Sequence, residues 1–222
     1  MKTAARLIIL ASTKVGETQR VLHTLSGEFG RRSFIVSVRS RGSSALFLPL
    51  SIIDAEIIEN PKSDLWRAGG ISAVYPLNGL RSDMMKNAVS LFVSEVLFRT
   101  LRDGVYEDGL YAWVEHSILT LDSLGREYIP NFHLRFLLEF CSALGFLPSA
   151  SDLAPYAGEQ YSNIRGMLEL PLAESLLLKL SGNDRNAMAS SILQYLSAHT
   201  ESAINIRSLS VLHDICPDLA RT

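Results

Sequence analysis

The stretch RRSFIVSVRSRGSS, residues 31–44, sets Arg31 and Arg32 at the entrance of a short alternating run and Arg39 and Arg41 at its exit. Guanidinium groups are planar, permanently charged and matched to phosphate oxygens, so this spacing suits the grip of a polyanion. The same four arginines also suit a plainer role, as solvated ends that keep an exposed strand from pairing with another chain. Residues 1–45 carry Lys2, Arg6, Lys14, Arg20, Arg31, Arg32, Arg39 and Arg41 against only Glu17 and Glu28, a net +6. The whole 222-residue chain is −2, so the remainder carries −8. Either sign would serve solubility, whereas a basic segment on an otherwise acidic protein points to a polyanionic partner.

Bond-making chemistry finds no comparable constellation. There is no Walker-type Gly-Lys-Ser, GxGxxG after a strand, GxSxG or HExxH. His23, His116, His133, His199 and His213 are scattered, and none has a histidine or cysteine at ligand spacing. Cys141 and Cys216 lie far apart without a CxxC, which argues against structural zinc, and Cys141 sits in an apolar helical run where a thiol acts as a small core residue. Glu107, Asp108, Glu115 and His116 gather near one helix, where an acidic helix start complementing the macrodipole accounts for them. The expectation is a protein that is not an enzyme and holds no metal or cofactor.

The elements that must carry the basic segment are strands. Phe34, Val36 and Val38 alternate with Ser33, Ser37 and Arg39, the period of a half-buried strand with Phe34 facing the core. Comparable runs, ARLIILAST, QRVLHTLS, LPLSIIDAEIIE and AGGISAVYPL, are separated by the turn signals VGET, GEFG, RGSS and NPKSD. Five short strands with basic loops predict an OB-fold barrel over residues 1–80. After Arg81 the period becomes helical. Met85, Ala88, Val89, Phe92, Val93, Val96, Leu97 and Leu101 define one helix, capped by Ser82 or Asp83, and Leu110 to Leu121 a second. NFHLRFLLEFCSALGFLP is apolar nearly all round and belongs at the centre of a helical domain, 81–222. Further helices are expected in PLAESLLLKLSG, RNAMASSILQYLSAH and RSLSVLHDI, with an irregular loop around 148–165 where Ser, Ala, Pro and Gly concentrate. The fold class is therefore α+β. No apolar run reaches the roughly 18 residues of a membrane helix, and a cytoplasmic protein is expected.

The order LIILASTKVGET, QRVLHTLSGEFG, RRSFIVSVRSRGSS, SLFVSEVLFRTL, FHLRFLLEFCSALGFLP and RSLSVLHDI resembles the RecO family of bacterial recombination mediators over almost the whole chain. The resemblance implies an N-terminal OB-fold and a helical domain. It also implies a nucleoid-associated, non-enzymatic repair protein that binds single- and double-stranded DNA. Such a protein anneals strands coated by single-strand binding protein and works with RecR to load RecA. Many members carry a four-cysteine zinc motif, but the corresponding SASDLAPYAGEQYSNIRGM has no cysteine, so no zinc is expected. In this setting the DNA contacts expected first are Arg31, Arg32, Arg39 and Arg41, then Lys14 and Arg20, acting electrostatically and without sequence preference. The resemblance further implies a site on the helical domain for the acidic C-terminal tail of single-strand binding protein. Arg135, flanked by Phe132, Leu134 and Leu138 and at pairing distance from Glu139, is the expected place. The alternative is an OB-fold module that binds protein or RNA in transcription or translation.

Overall fold

The computed structural model describes residues 2–38, 45–63 and 65–215, so Arg39, Arg41 and Cys216 lie outside the described residues. Its N-terminal strands are β1 (Lys2–Val15), β2 (Gln19–Ser26), β3 (Gly30–Ser37), β4 (Ile52–Ile58) and β5 (Trp66–Ala73). They close into a barrel in the order β1-β2-β3-β5-β4. Among the described residues these five strands pair antiparallel except for a short parallel contact between β3 and β5, Phe34 opposite Trp66 and Ile35 opposite Arg67. This is the five-stranded Greek-key arrangement of an OB-fold, and the chain as a whole is α+β.

Alternation explains the barrel core. Leu7, Ile9, Leu22, Phe34, Val36, Ile53, Ala55 and Ile57 point inward and are buried. A bulge between Ile9 and Ala11 inserts an extra residue into β1, which re-aims the long strand. Strand β3 ends at Ser37, one residue before Val38, the last apolar position of the alternating run.

Along the sequence follow α1 (Asn78–Ser82), α2 (Met84–Thr100), α3 (Leu110–Ser123), α4 (Ile129–Ala143), α5 (Ala150–Ala157), α6 (Tyr161–Glu169), α7 (Leu172–Leu176), α8 (Gly182–Thr200) and α9 (Ser208–Ile215). Compactness divides the chain into two units, Met1–Asn78 with Leu97–Ile118, and Gly79–Val96 with Leu119–Thr222. In the second unit Asp83 caps α2, its Oδ1 accepting from the N–H groups of Met85 and Lys86 at 2.8 and 3.2 Å. The Lys86 ammonium is buried and donates to the Asp122 carbonyl at 2.6 Å, satisfying an acceptor at the end of α3. Helix α4 is buried on most of its surface, as its all-round apolar character requires.

Two expectations are corrected here. The stretch around 148–165 is helical, not an irregular loop. Ser149 and Asp152 form a reciprocal capping box that starts α5, and the Ser149 hydroxyl also donates to Asp152 at 2.6 Å. Leu153, Ala157, Ile164 and Met167 are buried at helical spacing. Pro155 is tolerated inside α5 at the loss of one hydrogen bond. PLAESLLLKLSG, expected to be helical throughout, stops at Leu176. The Asn131 side-chain amide donates to the carbonyls of Leu176 and Leu178 at 3.1 and 2.8 Å, which a continuing helix would have claimed for itself.

Candidate nucleic-acid interface

At the far end of the β1–β2 hairpin, Lys14 and Arg20 stand directly opposite each other. Like charges in cross-strand positions oppose pairing. Arg20 is held by a hydrogen bond from its Nη1 to the Ser12 hydroxyl at 3.1 Å, and Lys14 is exposed. The tip thus presents two cations on one short ribbon, with the turn acid Glu17 beside them in sequence. Where β3 and β5 diverge beyond their short parallel pairing, the barrel opens into a cleft of about 510 Å³. Gln19, Ser37, Arg67 and Gly70 line it, as does Lys2, which pairs with Glu56 at 3.0 Å with both side chains more than half exposed.

Arg31 and Arg32 are neighbours on β3 and so start from opposite faces of the strand, yet both side chains reach one concavity beside its start. Arg31 lies over the Phe98 ring, its guanidinium carbon 4.7 Å from the centroid, and its Nη1 is paired with the Asp103 carboxylate. Its side chain is only 11% exposed, whereas that of Asp103 is 65% exposed. Arg31 is therefore a packed, paired cation, not the solvated strand end of the plainer reading. Arg32 follows the parity of Phe34, and its guanidinium carbon lies over the Trp66 ring, 3.9 Å from the centroid. Trp66 in turn meets Phe29 and Phe34 edge-on at 5.4 and 6.5 Å. The segment after α2 is fastened against this corner. The Gly104 N–H donates to the Arg31 carbonyl at 2.8 Å, and Gly30, at φ +62°, sits where a Cβ would be 2.1 Å from the Val105 carbonyl oxygen.

On the outer face His23, opposite Ser33 across the β2–β3 pair, shares a 2.8 Å hydrogen bond with its hydroxyl and packs on Phe98. Burial, with the nearby charge of Arg31 behind it, holds the His23 imidazole below its ordinary range. The corner therefore keeps a neutral histidine beside a paired arginine.

The residues expected to receive a protein tail have a different environment. Phe132, Leu134 and Leu138 are buried in the helical unit. The Arg135 Nε donates to Glu139 at 2.7 Å, and its Nη1 donates to the carbonyls of Met167 and Leu170 at 2.7 and 3.3 Å. Arg135 thus closes the C-terminal end of α6, where helix carbonyls lack partners. The expected slot on this face of α4 is interior, because a helix apolar all round turns its flanking residues inward as well.

No group of three or more His, Cys, Asp or Glu residues among those described could hold a metal ion. Cys141 is buried, and burial pushes its thiol up to about 12, far from a thiolate ligand. With one cysteine so placed and the other 75 positions away, the residues present do not fit a four-cysteine zinc site. Among the described residues no helix is long and apolar enough to cross a membrane.

Sequence reasoning overlooked Trp66, Arg67 and Asp103. Trp66 opens β5, outside the basic stretch 31–44, so the charge pattern that singles out the arginines gives no sign of it. The pairing of Arg31 with Asp103 spans 72 positions and leaves no local signal.

A family model described as Recombination protein O C terminal matches residues 81–154. A protein of Phocaeicola vulgatus named DNA repair protein RecO is 31% identical over 94% of this chain and 96% of its own. A Bacteroides fragilis protein of that name is 33% identical over 69% of this chain and 64% of its own. A third, from Flavobacterium psychrophilum, is 23% identical over 97% and 99% of the two chains. End-to-end similarity at that identity, on a chain that closes an OB-fold barrel before its helices, shows that it belongs to the RecO family of DNA repair proteins.

Proposed function

We propose that this protein is a non-enzymatic mediator of DNA repair and recombination, with residues 1–80 as its nucleic-acid-binding domain and 81–222 as its helical, partner-binding domain. The observation that carries the reading is a closed OB-fold barrel with cations at its hairpin tip and cleft, on a chain similar throughout to a DNA repair protein. Lys14, Arg20, Arg32 and Arg67 supply the positive charge, with Arg39 and Arg41 of the basic segment added from sequence. Arg31 enters the same surface paired with Asp103. Because these groups address phosphates, binding is insensitive to sequence and accepts both single and double strands.

By holding two strands in this way the protein anneals complements, and with RecR it loads RecA onto DNA coated by single-strand binding protein. The tail of single-strand binding protein docks on the helical domain, at a surface other than the Arg135 face of α4, since Arg135 already serves Glu139 and the end of α6. The test is annealing of complementary oligonucleotides, bare and coated with single-strand binding protein. Faster annealing of both is expected. No acceleration of either, by a folded protein that also fails to shift either strand, would overturn the reading.

A further inference from the structure

A concavity of about 240 Å³ beside the start of β3 is lined by Arg31, Arg32, Ser33, Leu65, Asp103 and Gly104. It is smaller than a typical drug-sized pocket and suits one small planar group with a charged neighbour. Three features mark it as built to receive something. The Nε atoms of Arg31 and Arg32 are both buried and, among the described residues, donate to no acceptor. Buried donors without partners are rare and carry a cost that a bound acceptor would relieve. Arg32 lines the concavity with Trp66 behind it, its guanidinium carbon 3.9 Å from the ring centroid, so a planar cation backed by an aromatic ring forms one wall. Asp103, largely exposed itself, rests its carboxylate on an Arg31 that is almost wholly enclosed.

We propose that this corner is a single-nucleotide subsite for single-stranded DNA: one unstacked base lies against the Arg32–Trp66 pair, and its phosphate takes the place of the Asp103 carboxylate at Arg31. The inference rests on the nucleic-acid reading above and adds to it a defined position. A base in a duplex is stacked on both faces and cannot lie on this wall, whereas every base of a single strand offers a π-face. Leu65 supplies an apolar edge, and Ser33, fixed by His23, a hydroxyl. Asp103 acts as an internal counter-charge, weakening binding of any strand that cannot displace it.

The experiment uses the full chain and a labelled oligothymidylate. Trp66 and Trp113 are its only tryptophans, so Trp113→Phe reports Trp66 emission alone, and the difference between wild type and Trp66→Phe gives the same signal independently. Anisotropy of the label reports binding as such. Quenching of Trp66 in step with anisotropy is expected for the single strand and not for a duplex of the same length. Asp103→Asn is expected to bind the single strand about fivefold tighter and to steepen its log–log salt slope by about 0.7. Binding with unchanged Trp66 emission removes the base from the subsite, and an unchanged affinity and slope in Asp103→Asn remove the phosphate. Either result overturns the proposal while leaving general DNA binding intact. Absence of any anisotropy change with wild type overturns both.

Discussion

Arg135 shows how a side chain expected to meet a partner can already be engaged within its own domain. On a helix of apolar neighbours a lone arginine resembles a receptor for a carboxylate, yet its three partners are Glu139, the Met167 carbonyl in the last turn of α6 and the Leu170 carbonyl just after it. Arg135→Ala should therefore destabilise the protein by about 1–3 kcal/mol through the loss of charge-assisted bonds and orphaned carbonyls. Urea unfolding measures it; an unchanged midpoint would return Arg135 to the surface. His133 carries the second prediction at this scale. Burial, followed by the charge of Arg185, holds its imidazole down to about 3, and it stacks edge-on against Phe92 at 5.6 Å. In the unfolded chain it titrates near its ordinary value of about 6.5. The stability it contributes is thus complete above about pH 6.5. It is lost as pH falls from there toward 3, because only the unfolded chain takes up the proton, by at most about 1.4 kcal/mol per pH unit. Between pH 7 and 4.5 wild type should lose about 2 kcal/mol more than His133→Leu. Parallel losses in the two proteins would show that His133 is not responsible. Side-chain roles of this kind were the least legible, since Arg135, His133 and the Arg31–Asp103 pair depend on partners from distant elements.

At the scale of elements, the strands were legible because alternation records the barrel wall directly: QRVLHTLS is β2 as expected, and Phe34 is buried as its parity required. Helices α2, α8 and α9 were visible from apolar residues at helical spacing, and α4 from a run that is apolar nearly all round. The 148–165 region failed because its capping residues, Ser149 and Asp152, are also loop formers, and its four core positions are split between two short helices. Ser149→Ala should accordingly cost about 1 kcal/mol and raise hydrogen exchange through α5. If exchange there is unaffected, the capping box does not set the start of the helix. Gly30 holds a different kind of element, the join between β3 and the segment after α2. Gly30→Ala meets both a left-handed backbone at φ +62° and the Val105 carbonyl oxygen at 2.1 Å. A loss of about 2–4 kcal/mol is expected, or displacement of the 102–106 segment. A variant as stable as wild type with unchanged Trp66 emission would contradict the packing described for this corner.

At the scale of the whole molecule, charge is the property that links sequence to function. The +6 of residues 1–45 points to a polyanion, and among the described residues the barrel sets Lys14 and Arg20 at a hairpin tip, Lys2 and Arg67 at a cleft rim and Arg32 at an aromatic corner. Cations at separate places on one barrel would each meet a phosphate, and each such contact contributes about −0.7 to the log–log salt slope on a single strand. The most direct measurement is the salt dependence of oligothymidylate affinity for wild type and for Lys14→Gln/Arg20→Gln/Arg67→Gln, with circular dichroism to verify the fold. Wild type should bind with a steep negative slope, and the triple variant should lose about 0.7 for each of the three contacts. Equal slopes and affinities in the two folded proteins would contradict the claim that the barrel binds DNA through these cations.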